Sequence, residues 1–176
     1  MENSIKKSLI VYYSRKGYNY VGGKIINLPI GNTEVIAKKI QKLTQSDLFE
    51  IKTVKTYPID YIETTEVAKS ELHEKARPKL SDFIEDIDAY DVIYLGYPNW
   101  WGTMPMAVFT FLESYDFSGK TIIPFCTHEG SGIGVSERDI IKLCPNTTVL
   151  PGLAIQGSMV KRVDYMVENW LKKTKL

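Results

Sequence analysis

Two short segments of this chain carry residue types that hold anions. Ser14-Arg15-Lys16-Gly17 directly follows the apolar run Leu9-Ile10-Val11-Tyr12-Tyr13, and Gly31-Asn32-Thr33 opens a helical pattern further on. A loop that leaves a parallel strand and feeds a helix N-terminus presents unpaired backbone N–H groups at the positive end of the helix dipole. That arrangement makes a phosphate site with little need for net charge. Ser14, Asn32 and Thr33 add short side-chain donors, and the glycines let backbone approach a ligand closely. The insert Tyr18 to Ile30 divides the loop in two.

Two more segments are unusual. Tyr97-Pro98-Asn99-Trp100-Trp101-Gly102-Thr103-Met104-Pro105 follows one apolar run, and Thr127-His128-Glu129-Gly130-Ser131-Gly132-Ile133-Gly134 follows the next. Adjacent tryptophans between Pro98 and Gly102 cannot both point into a core, so at least one is expected to offer its π surface to a planar heterocycle. The Gly-rich run brings backbone N–H and C=O groups to the edge of a ring. His128 is expected to act as a hydrogen-bonding loop residue rather than a general base. Glu129 reads first as a solvated loop carboxylate and second as an acceptor of a proton or hydrogen bond near the ring edge. Cys126 ends a strand and reads as a buried, inert thiol.

Other motifs fail on detail. Gly17, Gly22, Gly23 and Lys24 approach a nucleotide P-loop, but Gly23 displaces the lysine and Ile25 stands where a metal-binding Ser or Thr is needed. The run Gly130 to Gly134 is not the dinucleotide fingerprint, and Ser131 lacks the preceding glycine of a nucleophile elbow. Ser14 and Tyr97 stand where a phosphoacceptor domain would carry acidic residues.

These loops need a scaffold. Continuous apolar runs mark buried strands over Ser8–Tyr13, Leu48–Ile51, Val92–Gly96 and Thr121–Cys126, with a less sharp one, Thr147–Ile155, interrupted at Pro151-Gly152. Helical patterns cover Thr33–Leu43, with Val35, Ile36, Ile40 and Leu43 on one face, and Met106–Ser114, begun by Pro105. Others cover Val135–Leu143 and Val160–Lys172, the last with Val163, Val167, Trp170 and Leu171 inward. Tyr61–Lys75 is helix-prone but mostly charged, and is placed on the surface, with Tyr57-Pro58-Ile59-Asp60-Tyr61 at the border of the cleft. The alternation predicts one α/β domain over 1–176: a doubly wound, five-stranded parallel sheet of order 2-1-3-4-5 with helices on both faces. In such sheets ligands bind beyond the carboxyl ends of the strands, where the strand order reverses. The three unusual loops follow strands one, three and four and therefore converge on that edge. A flat, phosphorylated ligand is the expectation.

Composition narrows the choices. The chain has 176 residues, 44% of them hydrophobic, enough for one core. Lys plus Arg number 22 against 21 Asp plus Glu, so the basic excess of a nucleic-acid or membrane-surface binder is missing. Cys126 and Cys144 form no metal-ligand pattern, and no metal is expected. The opening Met1 to Lys7 runs straight into the first strand, leaving no room for a signal peptide, and a cytoplasmic location is expected.

With these residues in place the chain resembles the flavodoxins and, more widely, the flavodoxin-like flavoproteins. Ser14-Arg15-Lys16-Gly17 matches the first half of the family's Ser/Thr-x-Thr-Gly-Asn-Thr phosphate loop and Asn32-Thr33 its second half. The resemblance implies FMN as cofactor, its phosphate at Ser14, Arg15, Lys16, Gly17, Asn32 and Thr33. Its ring would lie between Tyr97–Gly102 and Thr127–Gly132. It further implies electron transfer to a redox partner protein or a small-molecule acceptor, with a hydrogen-bonding peptide near Gly102. A carrier is the leading expectation. A reductase of quinones or nitro compounds using NAD(P)H is the alternative, because the chain is nearly neutral and the loop after strand four lacks a second stacking aromatic. A protein-interaction module that has kept the fold is the third.

Overall fold

The computed structural model describes residues 6–174, so the opening Met1–Ile5 lies outside the described part. The first strand, β1 (Ser8–Tyr12), is covered on both faces: Leu9, Ile10, Val11 and Tyr12 are all buried. A hairpin follows, β2 (Gly17–Val21) and β3 (Lys24–Leu28), then helix α1 (Asn32–Thr44) and strand β4 (Asp47–Glu50). Helix α2 (Tyr61–Glu74) leads to β5 (Val92–Pro98), α3 (Met106–Glu113), β6 (Thr121–His128) and α4 (Ser136–Leu143). Strands β7 (Thr148–Val149) and β8 (Leu153–Gln156) precede a 3-10 segment, Gly157–Arg162, and the last helix α5 (Asp164–Lys173).

The main sheet runs β4-β1-β5-β6-β7, with β8 also on β6, and every pairing is parallel. Strand β6 pairs its first residues with β7 and its last with β8, so the two pieces form one interrupted edge strand. Counted that way the order is the expected 2-1-3-4-5. The period of two along each strand sends alternate residues into two core layers. Leu9, Val11, Leu95 and Tyr97 join Phe111 and Ile140 on one face, where α3 and α4 pack. Ile10, Tyr12, Ile123 and Phe125 join Ile36, Ile40, Val167 and Trp170 on the other, beneath α1 and α5.

Several expectations need correction. Strands β5 and β6 extend to Pro98 and His128, two residues past the expected ends, which carries their hydrogen bonding into the site loops. Leu43 is 46% exposed, and the small Ala37 completes the buried stripe of α1 instead, its size allowing close contact with the sheet. The expected helix from Val160 starts at Asp164, after the 3-10 segment. The insert is a two-stranded antiparallel sheet of its own, pairing Tyr20 with Ile25 and Val21 with Lys24. Gly22 and Gly23 form its two-residue turn at φ 59° and 86°, and a twist-matched hairpin turn requires positive φ at both positions.

No helix among the described residues is long and apolar enough to cross a membrane.

Candidate functional site

The carboxyl ends of β1, β5 and β6 open onto a cleft of about 530 Å³, within the ordinary range for small-molecule sites. Thirteen of the residues singled out from sequence line it: Ser14, Arg15, Asn32, Thr33, Pro98, Asn99, Trp100, Trp101, Gly102, Thr127, His128, Glu129 and Ser131. Lys16, Gly17, Gly130 and Gly132 do not line it. Lys16 is exposed where the chain turns into the hairpin, and Gly17 begins β2. The other two act one layer back: the Gly132 carbonyl accepts from Asn99 Nδ2 (2.8 Å), and the Gly130 N–H donates to His128 Nδ1 (2.9 Å).

One end of the cleft is built on the start of α1. The backbone reaches helical hydrogen bonding at Val35, whose N–H donates to Gly31 O (3.2 Å). The N–H groups of Asn32, Thr33 and Glu34 therefore precede the first intrahelical donor. Ser14 Oγ accepts from Glu34 (3.1 Å), so the loop after β1 caps the helix across the divided segment. Asn32 and Thr33 remain with their N–H groups at the helix dipole's positive end. The halves meet closely: a β-carbon on Gly31 would lie 2.2 Å from Ser14 Oγ and 2.8 Å from Arg15 O. Thr33 and Thr127, both buried, share a hydrogen bond between their hydroxyls (2.7 Å), tying α1 to the end of β6.

Arg15 lines the cleft with its guanidinium on protein acceptors. Its guanidinium donates to the carbonyls of Pro58 and Ile59 (2.9 Å each), to Thr64 Oγ1 (3.0 Å) and to Tyr18 O. Desolvation lowers its pKa from the ordinary arginine value. These contacts commit the charge to joining the hairpin to the segment before α2. Asn19 Nδ2 closes the same bend on the carbonyls of Arg15 (3.0 Å) and Gly17 (3.1 Å).

Another part of the cleft wall is aromatic. Trp100 lines the cleft and packs edge-on against Tyr13 (5.3 Å between centroids) and Tyr57 (5.1 Å). Trp101 is 50% exposed, donates from Nε1 to Thr65 O (2.9 Å), and has Lys69 Nζ 5.3 Å from its ring centroid. Both tryptophans thus border the cleft, one as wall and one as rim. Asn99 holds the loop between them and β6: its Oδ1 accepts from Gly102 N–H (2.9 Å) and its N–H donates to Thr127 O (2.8 Å). The Gly102 carbonyl accepts from Val135 N–H (2.9 Å). The peptide groups on either side of Gly102, where a hydrogen-bonding peptide is expected, are both held by the protein.

Cleft residues missed from sequence are Asn19, Tyr20, Thr64, Thr65, Ala68 and Gly157; Tyr61, expected only at the border, also lines it. Tyr20 of the hairpin stacks on Tyr61 at the start of α2 (6.2 Å, 25° between planes). Asp60 caps α2 by accepting from Glu63 N–H (2.9 Å), an Asx signal visible in the sequence. The buried side of α2, Thr64 and Ala68, faces the cleft. Glu129 lies at the α1 end: Oε2 accepts from Gly22 N–H in the hairpin turn (3.0 Å). Cys126 is buried and its thiol is pushed up to about 12 by desolvation, in keeping with an inert residue. Among the described residues no cluster of His, Cys, Asp and Glu is suited to a metal.

A doubly wound sheet with an anion cradle and an aromatic wall at its switch point defines a class of proteins that bind flat, phosphorylated ligands. The chain belongs to the flavodoxin family, whose model matches residues 18–174. It is similar to a flavodoxin of Haemophilus influenzae, 34% identical over 96 residues that make up 52% of this chain and 41% of that protein. The match thus spans less than half the length of that relative. A candidate flavoprotein of Bacteroides eggerthii superposes with a TM-score of 0.77 at 27% identity, over 96% of this chain and 98% of that one. A Lactobacillus acidophilus flavoprotein solved in complex with FMN shares the fold, with a TM-score of 0.63 at 23% identity over 95% and 99% of the two chains.

Proposed function

We propose that the protein is an FMN-binding redox protein that passes electrons to a partner protein or a small-molecule acceptor. The observation that carries this reading is the pairing of two kinds of wall in one cleft. The N–H groups of Asn32 and Thr33, with Ser14 beside them, suit a phosphate, while Trp100 and Trp101 suit a planar ring. Gly31 supports the arrangement, since a side chain there would collide with Ser14 and Arg15 and push the two halves of the loop apart. FMN would supply the redox chemistry, and the protein would bind and orient it and set the surroundings of its ring. Of the residues expected at the cofactor, Ser14, Asn32, Thr33, Asn99, Trp100, Trp101, Gly102 and His128 are assigned to direct contact, and Arg15 to holding the hairpin.

An electron carrier is the leading form of this reading. A second form, a flavin-dependent NAD(P)H reductase of quinones or nitro compounds, is favoured by one observation. The peptides around Gly102 are held by Asn99 and Val135, leaving less freedom for the peptide adjustment expected of a one-electron carrier.

The visible spectrum of the purified protein, followed by titration with FMN, tests the main reading. Saturable binding with quenched tryptophan fluorescence supports it, and no flavin binding overturns it. Reductive titration and an NADPH–quinone assay separate the two forms. Reduction in two resolved one-electron stages without turnover identifies the carrier; a single two-electron stage with rapid turnover identifies the reductase.

A further inference from the structure

The hairpin is a two-stranded sheet with one open side. Among the described residues β3 pairs with β2 alone, and Lys24, Ile25, Ile26 and Asn27 are all exposed. The residues that flank a two-residue turn exchange hydrogen bonds, and bonded pairs alternate with unbonded ones from there. The bonded pairs are then Val21 with Lys24, Asn19 with Ile26 and Gly17 with Leu28. Tyr18 and Tyr20 of β2, and Ile25 and Asn27 of β3, therefore direct their N–H and C=O groups away from the hairpin. On the β2 side the molecule covers itself: Arg15 donates to the Tyr18 carbonyl, and Tyr20 stacks on Tyr61 of α2. On the β3 side no backbone group of the described residues answers Ile25 or Asn27. Such an edge is a template for another strand, which charge, proline or a bulge ordinarily blunts. None of these interrupts β3. Its five pairs run one to one, its single charge, Lys24, stands at its first position, and Pro29 comes after its last.

We propose that β3 is a self-association edge, on which a second copy of this chain pairs antiparallel about a two-fold axis at Ile26. The outward groups match themselves under that rotation, since Ile25 of each copy exchanges hydrogen bonds with Asn27 of the other. Ile26 faces its own counterpart across the axis, in an unbonded pair where side chains approach most closely. Lys24 falls opposite Leu28, so the pairing sets no like charges against each other. On one face of the resulting four-stranded sheet, Tyr20 and Ile25 of one copy share a row with Asn27 and Tyr18 of the other. The exposed Tyr18, Tyr20 and Ile25 thereby cover one another. This match at every position of the strand singles out a second copy over an unrelated strand. Because Arg15 and Tyr61 back the outer side of β2, addition closes at two copies instead of growing into a fibre.

Sedimentation velocity of the whole chain between about 10 and about 500 μM reads the association, a range suited to so short an interface. The expected result is a rise to the dimer and no further. Amide exchange at Ile25 and Asn27 should slow severalfold over the same range, with Ile26 and Leu28, already bonded within the hairpin, little changed. Asn27→Pro removes a donor that the hairpin does not use, and should weaken association at least about tenfold. Ile26→Lys and Ile26→Glu each set like charges across the axis, so either alone should be monomeric, while an equimolar mixture of the two associates again. Recovery in the mixture also shows that the single variants are folded. A parent protein that stays monomeric throughout overturns the proposal and leaves the edge to a strand of another protein. Association undiminished by Asn27→Pro and Ile26→Lys overturns it by placing the contact elsewhere, and a mixture that stays monomeric overturns the two-fold register.

Discussion

The Ser14 hydroxyl stands 2.2 Å from where a β-carbon on Gly31 would have to be, although 17 positions separate the two residues in sequence. This contact makes one cradle of a divided loop, because the same hydroxyl caps α1 through Glu34.

Gly31→Ala should therefore do two kinds of damage. Overpacking against Ser14 and the Arg15 carbonyl should lower stability by about 1–3 kcal/mol, and displacing Ser14 should weaken FMN more than riboflavin. Urea denaturation and parallel flavin titrations read both effects. An unchanged melting curve would show that the halves of the loop are not rigidly packed.

Thr33 and Thr127 form a closed hydroxyl pair, so removing one hydroxyl strands the other. Thr33→Val should cost about 1–3 kcal/mol, and the double change with Thr127→Val should recover much of that loss. A double-mutant cycle in urea measures the coupling. Additive losses would argue that each hydroxyl has another partner.

The tryptophans should separate cleanly. Trp100 is wedged between Tyr13 and Tyr57, and Trp100→Ala should cost about 2 kcal/mol or more along with flavin affinity. Trp101 holds φ 54°, a left-handed conformation that disfavours any side chain. Trp101→Gly should leave thermal stability unchanged or raised while weakening FMN. A stability loss from Trp101→Gly as large as that from Trp100→Ala would mean the rim is structural.

Burial raises the Glu71 carboxyl above its ordinary 4.5, and the hydrogen bond from Tyr57 (2.7 Å) offsets part of that rise. The native state then keeps a proton that the unfolded chain has released, so stability falls as pH rises from the unfolded value through the raised native one. Glu71→Gln, which still accepts from Tyr57, should be the more stable protein at pH 7. Its advantage should vanish below pH about 4. Urea midpoints at the two pH values decide it; an advantage that persists in acid would point to packing rather than charge.

The sheet and its order were legible because Leu9–Tyr12, Val92–Tyr97 and Thr121–Thr127 are apolar enough to be covered on both faces. The anion cradle and the tryptophan loop were legible because the fold rule says where loops after such strands converge. The hairpin was not. Tyr18 to Leu28 buries little of itself, with Tyr18, Tyr20, Ile25 and Ile26 exposed, so it leaves no core pattern. Its signal, Gly22-Gly23 between apolar runs, competed with a false P-loop match. The role of Arg15 was hidden for another reason: a guanidinium beside an anion loop has a ligand and several carbonyls as competing acceptors, and only tertiary structure shows that Pro58 and Ile59 are within reach.

The interrupted outer strand has a consequence for the protein in company. Between β7 and β8 the chain bends at Leu150–Gly152, where the Gly152 N–H turns to Glu137 Oε1 (2.6 Å) and the Pro151 carbonyl accepts from Trp170 (3.3 Å). Backbone groups that would continue a straight ladder are satisfied within the molecule. A foreign strand approaching this margin would find a two-residue segment, a proline and a four-residue segment, too short and too bent to extend in register. The bend therefore guards a parallel sheet against cross-molecule β-pairing, and straightening it would expose a continuous edge to a second chain.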